Sequence, residues 1–185
     1  MNGLIIYKGK YGATRQYAYW LGKELALPMV SADNIGGRQL KPYDYLLIGT
    51  SVYIGKLQIR NWIKENETYL SGKKIFFFQV AAAPATDLEK RMSYISAGIP
   101  TDLMIDCKFF FLDGRMKMQG LRWWDRFVLK MGARLTRDPV ARKHMLTDFD
   151  KVKKENLDAM LSFIRQYLYD QTSLPAGAHP ALTAC

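Results

Sequence analysis

Sulfur and imidazole are scarce in this chain: two cysteines and two histidines in 185 residues. Cys107 sits in an apolar run and Cys185 is the last residue, with no Cys-x-x-Cys spacing and no histidine near either one. A disulfide framework and a zinc centre are therefore excluded as organising features. His144 and His179 lie far apart in sequence without a carboxylate or nucleophile beside them, which argues against histidine-based hydrolysis. Long hydrophobic runs are missing as well. The longest, Ile75 to Pro84, is broken by Gln79 and reaches only half of the roughly 20 residues that a membrane-spanning helix needs. No basic segment ahead of a long apolar stretch opens the sequence, so no secretory leader is read there and a cytoplasmic protein is the expectation. Acidic residues are the minority charge, 17 against 27 Lys and Arg, for a formal net charge of +10.

What is present is enough for a core: 49% hydrophobic and 13% aromatic residues. At roughly 150 residues per domain, the length predicts a single domain, over residues 1–170. Residues 171–185 are predicted as a C-terminal tail, because Ser173 to Cys185 holds Gly, Ala and two prolines without periodicity. Along the chain, short apolar runs alternate with helical patterns and no internal repeat is visible. Leu4 to Tyr7 reads as a strand, residues 8–14 as a loop, and Tyr17, Ala18, Leu21 and Leu25 as a helical stripe with Thr14 as N-cap and Pro28 as stop. Met29 to Ala32 is a weak second strand and Tyr45 to Gly49 a strong third. Ile59, Trp62, Ile63 and Leu70 mark the next helix, and Ile75 to Val80 the fourth strand. Asp87 caps a helix carrying Leu88, Met92 and Ile95, Met104 to Leu112 is the fifth strand, and Val152 to Leu168 is a last helix. Continuous apolar strands alternating with helices predict an α/β fold: a doubly wound, five-stranded parallel sheet with helices on both faces.

In such a sheet, ligands bind outside the carboxyl ends of the strands where strand order reverses. Three loops there, 8–14, 50–56 and 80–86, are rich in small residues and are expected to converge. The first runs into a helix N-terminus, where unpaired amides attract an anion and Gly9 and Gly12 let the backbone approach closely, so phosphate is one reading and an ordinary strand-to-helix turn the other. Gly-x-Gly-x-x-Gly and Gly-x-x-x-x-Gly-Lys-[Ser/Thr] signatures are both absent, which demotes NAD and ATP.

Tyr7 to Thr14, ending in Gly12-Ala13-Thr14, resembles the phosphate loop of flavodoxins, and Ile48-Gly49-Thr50-Ser51-Val52-Tyr53-Ile54-Gly55 resembles the loop that packs on their flavin ring. Over nearly the whole chain the sequence is similar to the flavodoxin-like, quinone-dependent protoporphyrinogen dehydrogenase group. The motif that carries this is Arg122-Trp123-Trp124-Asp125-Arg126-Phe127-Val128-Leu129-Lys130, followed by Thr147-Asp148-Phe149, which looks like that group's long basic insertion after the fifth strand, here about 114–147. The resemblance implies a flavodoxin-like fold, FMN as cofactor, and an oxidoreductase that passes electrons from a tetrapyrrole-type substrate to a quinone. It implies that Gly9, Lys10, Tyr11, Gly12, Ala13 and Thr14 hold the phosphate. Thr50, Ser51, Val52, Tyr53, Ile54 and Gly55, with Ala81 and Ala82, would line the ring. Flavodoxins usually have several Ser or Thr residues in the phosphate loop, whereas only Thr14 keeps a hydroxyl here; Lys8 or Lys10 is expected to substitute, because a charge-assisted bond to phosphate is about twice as strong as a neutral one. The alternative function is a flavodoxin-type electron carrier or accessory subunit that reduces a separate redox partner protein, and a flavin-free scaffold is a third. No general base stands out.

Between Arg115 and Lys143 stand nine basic residues and two acidic ones, most of the chain's surplus charge. Leu121, Trp124, Val128, Met131 and Leu135 fall on one helical stripe, with Arg122, Arg126, Lys130 and Arg134 on a neighbouring face, which predicts a cationic amphipathic helix. Either the stripe packs on the domain and the arginines are solvated, or Arg122, Trp123, Trp124 and Arg126 form a docking surface for a carboxylated substrate or anionic lipid, placing the protein at the inner face of a membrane. Nucleic-acid binding is not expected, since no nucleic-acid motif appears. A basic pocket would also favour an anionic reduced flavin, so the charge speaks for an oxidase-like role or an acidic partner over a conventional shuttle.

Overall fold

The computed structural model describes residues 1–82, 85–120, 122–135, 142 and 147–173. Five parallel strands, β1 (Gly3–Lys8), β2 (Met29–Ser31), β3 (Tyr45–Tyr53), β5 (Lys74–Ala81) and β6 (Cys107–Asp113), lie in the order β2-β1-β3-β5-β6. The two-residue strand β4 (Lys56–Leu57) folds back antiparallel on the end of β3. Sheet order reverses between β1 and β3, which opens the crevice at their carboxyl ends. Register brings those ends level: Lys8 pairs with Thr50, Ser51 with Val80 and Ala81 with Asp113.

Alternation of side chains along each strand makes two cores. Leu4, Ile6, Leu46, Ile48, Ile75 and Phe77 face α2 (Arg60–Leu70) and α3 (Leu88–Ser96) through Trp62, Ile63 and Ile95. Ile5, Leu47, Phe76 and Phe78 face α1 (Ala13–Leu25) and the last helix, α6 (Asp158–Ser173), through Tyr17, Leu21, Met160 and Ile164. Strands buried on both faces need continuous apolar runs, which is why they are legible in the sequence.

Several boundaries differ from the sequence reading. α1 starts two residues early: its N-cap is Gly12, in the left-handed region at φ 81°, and Thr14 lies inside the first turn. β3 does not stop at Gly49 but runs to Tyr53, where Ile54 (φ 47°) and Gly55 (φ 68°) make the tight turn into β4. Two positive φ values in a two-residue hairpin match the twist of the flanking strands. Met104 belongs to a short helix, α4 (Thr101–Met104), and strand pairing begins only at Cys107, opposite Ile75. α6 extends to Ser173 and so takes in the start of the expected tail, whose remainder lies outside the described residues. Asp87 does cap α3, accepting from the Lys90 amide at 3.3 Å.

Beyond β6 the chain forms a small antiparallel pair, β7 (Arg115–Met116) with β8 (Phe149–Asp150), bracketing the amphipathic helix α5 (Trp123–Leu135). α5 does not pack with the stripe expected for it. Trp124, Met131 and Leu135 are exposed, together with Trp123 and Phe127, while Asp125 and Ala133 are buried; Leu121 lies outside the described residues. The reason is polar rather than apolar: three donors hold the Asp125 carboxylate, and they fix which face of the helix turns inward.

Candidate functional site

A crevice of about 580 Å³ opens at the carboxyl ends of β1, β3 and β5, roofed by α5. That is within the usual size range of small-molecule sites. Its first wall is the turn into α1. Gly9 packs so closely on Thr14 that a Cβ there would come within 2.6 Å of Thr14 Oγ1, and Gly12 supplies the left-handed turn that a branched residue resists. No side chain caps α1. Thr14 is 1% exposed, yet its buried Oγ1 has no hydrogen-bond partner. An orphaned hydroxyl beside uncapped helix amides fits the phosphate end of a mononucleotide, because the anion would satisfy both and meet the positive end of the helix dipole.

Both lysines expected at the phosphate have carboxylate partners instead. Lys8 Nζ lies 2.7 Å from Asp33 Oδ1. Lys10 Nζ lies 2.6 Å from Asp125 Oδ2 and 4.1 Å from the centre of the Tyr53 ring. Desolvation pulls the Lys10 ammonium down, but hydrogen bonds to Asp125 and Tyr53 outweigh it and hold the group above its ordinary value. Tyr11 also donates to Asp125 Oδ2, and Tyr53 to Oδ1. One carboxylate on α5 therefore ties the first loop, the second loop and the roof together.

The second wall is the end of β3. Ser51 Oγ donates to Gln58 Oε1 at 3.0 Å, and Thr50 Oγ1 accepts from the Ile59 amide at 3.1 Å, which anchors the hairpin to the start of α2. Ile54 is exposed, lines the crevice and holds a backbone conformation rare for a β-branched residue. The third wall, Ala81 and Ala82, is set by buried Arg91. Its guanidinium donates to Ala81 O (3.4 Å), Leu112 O (3.1 Å) and Gln79 Oε1 (3.3 Å), with Asp113 Oδ1 at 3.8 Å. Burial lowers the Arg91 pKa, offset in part by Asp113.

Of the residues expected around a cofactor, Lys10, Tyr11, Ala13, Thr14, Ser51, Val52, Tyr53, Ile54, Ala81 and Ala82 line this crevice. Gly9, Gly12, Thr50 and Gly55 shape its loops from behind. Arg122, Trp123, Trp124 and Arg126 are not in its lining; the first three are exposed on the outer side of α5. Arg115, Lys117, Asp125, Val128 and Leu129 do line it and were missed as site residues. Asp125 stood within the Trp-Trp-Asp-Arg-Phe motif, but nothing local distinguishes a carboxylate that caps two distant loops from a solvated one. Among the described residues no group of His, Cys, Asp and Glu could hold a metal, and no helix is long and apolar enough to cross a membrane.

The chain is 25% identical over 164 residues to protoporphyrinogen IX dehydrogenase [quinone] of Escherichia coli, covering 82% of this chain and 91% of that protein. Solved structures similar to it include a flavodoxin from the Archaea, 13% identical, with 69% of this chain and 90% of that chain covered and a TM-score of 0.42. Another is a flavoprotein in complex with FMN from Lactobacillus acidophilus, 14% identical, covering 60% and 91%, at a TM-score of 0.44. The sequence pattern of the flavodoxin domain matches residues 4–142. That span exceeds half of the 185 residues, and the chain belongs to the flavodoxin-domain family.

Proposed function

We propose that this chain is an FMN-dependent oxidoreductase that takes hydrogen from a carboxylated tetrapyrrole such as protoporphyrinogen IX and passes electrons to a quinone. The observation that carries the cofactor is the partnerless Thr14 hydroxyl, buried at the uncapped start of α1 where the crevice begins. Bound FMN would supply acceptance of two reducing equivalents and their release singly or in pairs to a quinone. The chain's own part is placement. Ala13 and Thr14 amides and Thr14 Oγ1 would take the phosphate; Tyr53 and Val52 on one side and Ala81 and Ala82 on another would hold the ring; Val128 and Leu129 on α5 would exclude water above it.

The substrate reading is supported by the match to the Escherichia coli dehydrogenase across most of both chains. A roof over the crevice also favours an enzyme over a free carrier, since a shuttle benefits from an exposed ring edge whereas a substrate-oxidising site needs a shaped cavity. The outer face of α5 supports placement against an anionic membrane surface, where a quinone would be met: Trp123, Trp124 and Phe127 are exposed beside Arg122, Lys130 and Arg134. The test is direct. Incubate the purified chain with FMN, remove unbound flavin by gel filtration, record the flavin absorption band of the protein fraction, then add protoporphyrinogen and a quinone analogue under argon. Bleaching by the porphyrinogen alone and recovery on adding quinone support the enzyme; bleaching only in the presence of a second protein supports the carrier; no flavin band at all ends both.

A further inference from the structure

We infer that the crevice holds a second anion subsite, formed by Arg115 and Lys117, which takes a carboxylate at the edge of the substrate. This rests on the proposed oxidation of a carboxylated tetrapyrrole and names the residues that recognise it. Arg115 opens β7 and Lys117 is the residue that follows it, and both line the crevice and approach the same Asp150 carboxylate. Arg115 Nε is buried and has no hydrogen-bond partner. The acid paired with this segment is Asp150 of β8, and its Oδ2 lies 3.7 Å from Arg115 Nη1 and 3.9 Å from Lys117 Nζ. Those separations are beyond hydrogen-bond length, so one carboxylate offsets two cations without saturating either.

The rest of the lining cannot supply this charge. Lys10 and Asp125 neutralise each other at 2.6 Å. The phosphate end belongs to β1, and β6, which feeds β7, lies three strand spacings away in the sheet, about 14 Å at ~4.8 Å per strand. Between the two ends the wall is apolar, with Val52, Val80, Val128 and Leu129. The ligand that completes this surface has a flat apolar body and a carboxylate on its rim, which a guanidinium not saturated by Asp150 recognises through charge-assisted hydrogen bonds. The exposed arginines of α5 are not needed for it.

The test uses protoporphyrin IX, a planar dicarboxylate that needs no oxidation, and its dimethyl ester, titrated into the FMN-saturated chain and followed by the porphyrin absorption band. The acid is expected to bind at least about tenfold tighter than the ester, the scale of one charge-assisted hydrogen bond. Arg115→Gln and the more exposed Lys117→Gln should each bring that ratio toward one, while FMN affinity, read separately from flavin fluorescence, stays within about twofold. Equal binding of acid and ester, or a ratio unchanged in both variants, overturns the subsite. So do variants that weaken FMN and porphyrin together, because Arg115 would then serve the cofactor. The same acid-to-ester ratio can be read without FMN, so a chain that binds no flavin would end the proposed function while the subsite is still judged on its own result.

Discussion

Lys10 Nζ and Asp125 Oδ2 stand 2.6 Å apart, joining the turn before α1 to a helix that begins more than a hundred residues later. Asp125 is 6% exposed and also accepts from Tyr11 and Tyr53, so its removal strands three donors at once. Asp125→Ala should lower stability by about 2 kcal/mol, below the ~3–5 kcal/mol of a fully buried pair because Lys10 retains contact with water. Thermal unfolding measures the loss, and limited proteolysis should cut within α5 sooner. An unchanged melting temperature together with unchanged cleavage would show that α5 is held by other contacts.

Thr14→Val should separate folding from binding. The hydroxyl has no partner in the chain alone, so its loss should leave stability unchanged or raise it by up to about 1 kcal/mol. FMN affinity should fall roughly tenfold, the cost of one hydrogen bond to a charged acceptor. Equal FMN affinity in variant and parent would remove Thr14 from the phosphate site.

Arg91 is fully buried and spans the ends of β5 and β6 through Ala81 O and Leu112 O. Arg91→Met keeps much of the volume but takes the guanidinium away from Leu112 O and Gln79 Oε1, while Ala81 O keeps the Gly114 amide and Asp113 keeps the Ala85 amide. A destabilisation of about 3 kcal/mol is expected in urea unfolding. A loss under about 1 kcal/mol would mean that water replaces the guanidinium.

The outward face of α5 carries Trp123 at 75%, Trp124 at 54% and Phe127 at 51% exposure, with Trp124 and Phe127 stacked at 5.6 Å. Replacing Trp123 and Trp124 by Ser should reduce sedimentation with anionic vesicles several-fold, and Arg122→Ala with Lys130→Ala should do so mainly at low salt. Vesicle binding that ignores all four changes would assign this face to something other than lipid.

Burial pushes the Cys107 thiol up to about 12. Because the raised value disfavours thiolate at every pH below it, alkylation of the Cys107 peptide should stay slow from about pH 7 to about pH 10 in the folded chain and become fast in urea. Rapid labelling of the native protein at pH 8, read by mass spectrometry, would contradict this packing.

How much of this was legible beforehand follows from the range of the forces involved. Phe76, Phe77 and Phe78 announce a strand because both faces of β5 are buried, and that requirement is written in consecutive residues. Gly12-Ala13-Thr14 announces the turn into α1, with its uncapped amides, because backbone geometry is local. The start of β6 was misplaced because Met104 is as apolar as a strand residue, and only pairing with β5 decides that the ladder begins at Cys107.

Composition, strand alternation and loop glycines thus determined the layered architecture and the end of the sheet at which a ligand can bind, since each depends on neighbours a few positions apart. Tertiary structure alone decided that Asp125 turns inward, that α5 shows its tryptophans to the outside, and that Arg115 and Lys117 reach the crevice. Those outcomes are settled by contacts between residues far apart in sequence, and for α5 the three donors that meet Asp125 offset the cost of burying its carboxylate and outweigh the preference of an apolar stripe.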